Sequence, residues 1–132
     1  MSEMIGHEEI EEKVLNIRGE KVLLEKDAAA LYGVTAKEVV QAVKNNPDRF
    51  PEGYIITLTP EEWHSSKGSL RGRHPKNPPK VFTERGIYML ATVLKSPAAA
   101  QTSVDIVEIF AKIRRLTKSI SELVKLRKKE GE

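Results

Sequence analysis

The residues best suited to chemistry are polar and basic groups spaced along one short segment, Thr35, Lys37, Gln41 and Lys44. At a helical period of about 3.6 residues they fall on or near one side of a helix. Val39, Ala42 and Val43 fall on the other side. A Gln amide can pair with the adenine edge in the DNA major groove, and a Lys can donate to guanine. Thr35 and Lys37 stand at the N-terminal end of the segment, the end of a recognition helix that meets base edges and phosphates first. Downstream, Lys67, Arg71, Arg73, Lys76 and Lys80 stand in a Ser/Gly/Pro-rich stretch, and no acid occurs from residue 64 to 82. A run of positive charge with no helix face to solubilise suits a polyanion, and such a loop would act as a wing along phosphates or in the minor groove. Arg49 would either anchor a phosphate or pair with Glu52. Asn45 would either join the contact surface or only cap a helix end.

A helix-turn-helix is the unit that would position these groups. The segment EKDAAALYGVTAKEVVQAVKN, Glu25 to Asn45, carries two short helical patterns broken at Tyr32-Gly33-Val34. Ala29 lets the helices approach closely, Gly33 can take the positive φ of the turn, and Val34 and Val39 plug the angle between them. The first helix is expected to open at Lys26 or Asp27. The second opens at Thr35 with a capping box closed by Glu38 and ends at Asn45-Asn46-Pro47. Tyr32 reads as core rather than contact.

Around this unit the pattern predicts an α+β fold with a small β-hairpin or short sheet, a helix-turn-helix and a long C-terminal helix. Val14 to Arg18 and Lys21 to Leu24 read as hairpin arms with Gly19-Glu20 as a type II′ turn. Tyr54 to Leu58 reads as a strand. Thr59-Pro60-Glu61-Glu62 opens a helix on which Trp63 is packed, Val81-Phe82 a short strand, and Thr83 caps another helix. From Ser96-Pro97 a helix runs to about Lys129. On it Ile106, Ile109, Ile113, Leu116, Ile120 and Leu123 form a heptad seam. Residues 106–113 are expected to pack on the domain, and the remainder predicts a homodimer. The organisation expected is an acidic N-terminal arm at 1–16, a DNA-binding domain at 17–95 and a possible dimerisation segment at 96–132.

Composition narrows the function further. The chain has 132 residues, a net charge of +3 and no cysteine. Disulfides, thiolate metal sites and a Cys nucleophile are excluded. No apolar run reaches the ~18 residues of a membrane span. Residues 1–12 hold five acids and no Lys or Arg, unlike a signal peptide, so a cytoplasmic location is expected. His7, His64 and His74 do not form a metal-ligand spacing. Gly68 to Gly72 lacks the Gly-Lys-Ser/Thr of a phosphate loop, and Ser65 and Ser66 beside His64 are not triad geometry. Glu61 and Glu62 suit a helix N-terminus better than acid/base work. Neither an enzyme nor a cofactor or metal is expected.

Several separated blocks then carry a resemblance. They are Arg18-Gly19, Leu31 to Val34, Lys44-Asn45 with Arg49-Phe50-Pro51, Phe82-Thr83-Glu84 with Gly86, and Met89-Leu90. In this order they resemble the ORF6N domain, which is grouped with the KilA-N and Bro-N DNA-binding domains of phages and large DNA viruses. The resemblance covers roughly residues 17–95. The loop SKGSLRGRHPKNPPK departs from the family's Leu-Arg-Ser-Gln type segment, and Arg85 stands where the family has Gln. What the resemblance implies is phage or mobile-element transcription regulation through duplex DNA. The alternative it implies is an antirepressor-type module that binds another regulator.

Overall fold

A computed structural model describes residues 7–66, 79–94, 96 and 98–130, and among them six α-helices and four strands. Helix α1 (His7–Lys13) leads into β1 (Leu15–Ile17) and β2 (Glu20–Leu24). Helices α2 (Glu25–Tyr32) and α3 (Ala36–Asn45) follow, then a 3-10 turn at Pro47–Arg49. Next come β3 (Ile55–Thr57), α4 (Pro60–Ser65), β4 (Lys80–Phe82), α5 (Glu84–Val93) and the 32-residue α6 (Ala99–Glu130). The strands form one antiparallel sheet in the order β1-β2-β4-β3. This is the α+β fold expected, with a short sheet and a long C-terminal helix.

Side chains alternate across the sheet and build two cores. Leu23, Phe82 and Ile55 face α2, α3, α5 and α6, and join Ala28, Ala29, Tyr32, Val39, Ile87, Leu90, Ile106 and Phe110. Leu15, Ile17, Val22, Leu24, Ile56 and Val81 face the other way, where Leu58 and Trp63 cover them. Within the acidic N-terminal arm His7–Lys13 form a short helix, and its Ile10 is fully buried in the first core, so that helix is docked on the domain.

The hairpin differs from the expected type II′ turn at Gly19-Glu20. Ile17 pairs with Glu20, so the turn residues are Arg18 and Gly19, with φ of 53° and 79°. Positive φ at both positions is the type I′ pattern. The Arg18 side chain is held across the second core. Its Nε donates to Glu62 Oε2 at 2.7 Å and its Nη2 to Oε1 at 3.0 Å. A bidentate Arg–carboxylate pair fixes orientation as well as distance, so it docks the hairpin on α4. Helix α2 also starts earlier than expected, at Glu25. Strand β2 feeds it directly, with extended Leu24 as its N-cap and no side-chain cap.

One close approach sets the helical layer on the sheet. Thr83 N–H donates to the Tyr54 carbonyl at 3.1 Å, and its Oγ1 donates to the Gly53 carbonyl at 2.7 Å. The same Oγ1 caps α5 by accepting from Gly86 N–H at 3.3 Å. A Cβ on Gly86 would lie 2.2 Å from the Tyr54 oxygen. Phe50 packs edge-on against Phe82 at the same corner, with ring centroids 6.3 Å apart. Deeper in, the Tyr32 hydroxyl meets Ser103 Oγ, and both reach the Ile87 carbonyl at 3.3 Å. This buried knot ties α2, α5 and α6 together. Burial pushes the Tyr32 phenol up to about 12, with the Ser103 hydrogen bond opposing it.

Helix α6 divides where the body ends. Ile106, Ile109 and Phe110 are buried and Ile113 packs against the core, as expected of residues 106–113. Leu116, Ile120 and Leu123 are 54–60% exposed. No helix among the described residues is long and apolar enough to cross a membrane.

Two predictions follow from these contacts. Gly86→Ala should destabilise the fold by about 1–3 kcal/mol, as overpacking does, although Ala is the better helix former; denaturant melting checks it. The second concerns Glu62, whose carboxyl is held down to about 2, first by the Arg18 hydrogen bonds and then by the Thr59 N–H. A lowered folded value means that its stabilisation is complete above the ordinary 4.5 and is lost as pH falls from there towards about 2. Arg18→Ala should move the Glu62 midpoint upward in a carboxyl NMR titration and flatten the acid limb of the melting curve.

Candidate nucleic-acid interface

The turn between α2 and α3 is set by chain geometry rather than by packing alone. Gly33 takes φ 72°, its N–H donates to the Ala30 carbonyl at 3.1 Å, and Val34 N–H donates to the Ala29 carbonyl at 3.0 Å. Two orphan carbonyls of α2 are satisfied in the act of leaving the helix. Residues 33–35 then suffice to reverse the chain. Thr35 opens α3, its Oγ1 accepting from Glu38 N–H at 3.0 Å while the Glu38 carboxylate accepts from Thr35 N–H at 3.1 Å. Val39 is fully buried, and Val34, Ala42 and Val43 pack beside it. Ala28 and Ala29 are buried beneath, small enough for the two helices to come close.

With that face committed inward, Thr35, Lys37, Gln41, Lys44 and Asn45 are exposed. The Thr35 hydroxyl is engaged with Glu38, so its first role is the cap. Lys37 and Lys44 make no ion pair among the described residues. Gln41 Nε2 donates to Asn45 Oδ1 at 2.9 Å, one helical turn on. Asn46 is the residue at the helix end that bonds backwards, its Nδ2 donating to the Ala42 carbonyl at 2.8 Å. That leaves Asn45 in an exposed amide pair, an arrangement the i, i+4 spacing of Gln41 and Asn45 already permitted.

The stripe runs between two open grooves. One, of about 560 Å³, is lined by Gln41, Asn45, Asn46 and Arg49 and by Thr92 and Val93 of α5. Arg49 is exposed on the 3-10 turn and makes no ion pair with Glu52 among the described residues. The other, of about 290 Å³, is lined by Val40, Lys44, Glu25, Pro79 and Lys80. Burial raises the Glu25 carboxyl, and the Lys80 charge pulls it back. Lys80 is exposed at the first position of β4, so the stem of the basic segment stands beside α3. Lys67, Arg71, Arg73 and Lys76 lie outside the described residues. The structure therefore gathers Lys37, Gln41 and Lys44 on one face, with Arg49 on one flank and Lys80 on the other. Nothing in the sequence placed Lys80 beside Lys44, because the sheet order that does so joins residues far apart in the chain.

Comparison with curated proteins and with solved structures gives no match. The family model described as the ORF6N domain matches residues 12–93, from the end of α1 to the end of α5. The recurring blocks occupy the structural joints within it. Arg18-Gly19 is the hairpin turn, Leu31 to Val34 the α2–α3 turn, and Phe82 to Gly86 the clamp on Tyr54. On the extent of that match and the placement of these blocks, the chain belongs to the ORF6N domain family.

Proposed function

We propose that this protein is a DNA-binding regulator of the phage and mobile-element type, with α2 and α3 as a helix-turn-helix, and that it binds rather than catalyses. The observation that carries the reading is the exposed face of α3. Lys37, Gln41 and Lys44 point outward together, and cations stand on both flanks at Arg49 and Lys80. A helix about 10 Å across fits the major groove, and its flanks then meet the two phosphate backbones. Lys37 and Gln41 would read base edges, and Arg49, Lys44 and Lys80 would lie against phosphates. Lys67, Arg71, Arg73 and Lys76 continue the chain from the Lys80 flank and would extend the backbone contact. Such work is done in the cytoplasm, on duplex DNA, without a cofactor or metal.

A second reading is an antirepressor-type module that binds another regulator. The exposed apolar stripe on α6 favours it. Selection from random duplex DNA by band shift separates the two. A regulator enriches a sequence, whereas a pure protein-interaction module enriches none.

The DNA reading generates two quantitative expectations. With about five phosphates neutralised, log K should fall against log[salt] with a slope near −4 to −5. Affinity that stays flat from low to physiological salt would refute it. Gln41→Ala should cost about 1–3 kcal/mol of discrimination between preferred and other sequences, whereas Lys80→Ala should weaken all sequences alike. Competition binding checks both, and an unchanged specificity ratio for Gln41→Ala removes Gln41 from base readout.

A further inference from the structure

Beyond Ile113 the α6 helix leaves the body and continues to Glu130, a projection of about 25 Å. Its exposed large apolar residues are Leu116, Ile120, Leu123, Val124 and Leu126. Such a stripe in water needs a cover. Three of these residues continue the stripe that Ile106, Ile109 and Ile113 turn towards the body, so the cover must come from the side on which the body itself lies.

The charges around the stripe are segregated. From Arg114 to Lys128 the helix holds six bases, Arg114, Arg115, Lys118, Lys125, Arg127 and Lys128, against the single acid Glu122. The shoulder from which it emerges is acidic. There α1 presents Glu8, Glu9 and Glu12 to solvent, and Glu11 pairs with Lys112 at 3.1 Å. Glu84 at the start of α5 pairs with Arg114 at 2.5 Å. Arg114, Arg115 and Lys118 stand at the shoulder end, where Arg114 already pairs with Glu84, and Lys125, Arg127 and Lys128 stand at the tip, away from the acids of their own chain.

We infer that the projecting stripe of α6 is covered by the same stripe of a second copy, running antiparallel, with the basic tip of each copy seated against the acidic shoulder of the other. Packed helices lie about 8–10 Å apart. A parallel pair would drive two bodies into the same space, because both sit on the stripe side at the same end. It would also align two basic tips. The antiparallel pair puts the bodies at opposite ends. The apolar residues from Leu116 to Leu126 are roughly symmetric about a point between Ile120 and Leu123. In that register Ile120 faces the partner's Leu123, Leu116 comes level with the partner's Leu126–Arg127 step, and Lys128 arrives near the partner's shoulder. This pairing stands independently of the DNA reading.

The chain has no native cysteine, so engineered ones report register cleanly. Mixing Leu116→Cys chains with Leu126→Cys chains under oxidation should give a crosslinked heterodimer, and neither variant alone should crosslink. Ready crosslinking of Leu116→Cys by itself would mean a parallel pair and would overturn the inference. So would sedimentation of the wild-type chain as a monomer at ~100 μM. Glu8→Lys with Glu12→Lys, at exposed positions outside the core, should weaken the dimer about five- to tenfold at low salt, with the difference fading at high salt. An unchanged dimer constant would remove the shoulder from the contact. Leu116→Asp with Ile120→Asp should give a monomer with unchanged circular dichroism; a dimer that survives this pair would overturn the seam itself.

Discussion

The carbonyl of Tyr54 is the point from which the rest of the architecture is positioned. It accepts the Thr83 N–H and lies so close to Gly86 that no side chain fits between helix and backbone. A carbonyl turned away from water needs a donor, and here the residue that supplies it also caps α5. The direction in which α5 leaves the sheet is thereby fixed. One turn into α5 comes Ile87, whose carbonyl holds the Tyr32 and Ser103 hydroxyls. Tyr32 ends α2 and Ser103 lies in α6, so a backbone contact at the sheet edge propagates to three helices. Burial raises the Tyr32 phenol, so it stays in the form that can donate a hydrogen bond.

The exposed face of α3 depends on that framework and hardly on its own surface. Gly33 and the Thr35–Glu38 box determine where α3 begins, and Val39 against Ala28 and Ala29 determines its rotation. Once rotation is set, the outward side chains need no partner of their own. Lys37 and Lys44 make no ion pair among the described residues, and Gln41 and Asn45 restrain each other within the helix. A face carried on a regular element holds its geometry better than one carried on a loop. The cationic flanks at Arg49 and Lys80 come from separate elements whose positions follow from the sheet and from the corner at Phe50 and Phe82.

Local chemistry was legible in the residues themselves. The capping boxes at Thr35–Glu38 and Thr59–Glu62, the left-handed Gly33 and the Thr83 cap all lie where short-range rules place them. So does the division of α3 into an inner and an outer side, because the helical period is local too. The hairpin turn was one residue off. The rule favours Gly at a positive φ, and here non-glycine Arg18 takes one as well, while its guanidinium pairs with a carboxylate 44 positions away. Long-range contacts account for the other gaps. Neither the docking of Ile10, nor the approach of Gly86 to Tyr54, nor the nearness of Lys80 to Lys44 leaves a periodic trace. The first is a contact of α1 with α6, and the other two depend on which strands are neighbours in the sheet.

Helix α6 runs from Ala99, buried beside α5, to Glu130 without a break. At 1.5 Å per residue that is a rod of about 48 Å, roughly half of it beyond the body. Such a rod acts as a lever. A tilt of about 5° at its buried half carries the tip through about 2 Å over the ~25 Å projection. Conversely, whatever grips the tip exerts torque on the helix that holds Ser103, and through Ser103 on Tyr32 and the close of α2. The rod and the close of α2 thus meet at one buried hydrogen bond, with the Gly33 turn standing between that bond and α3.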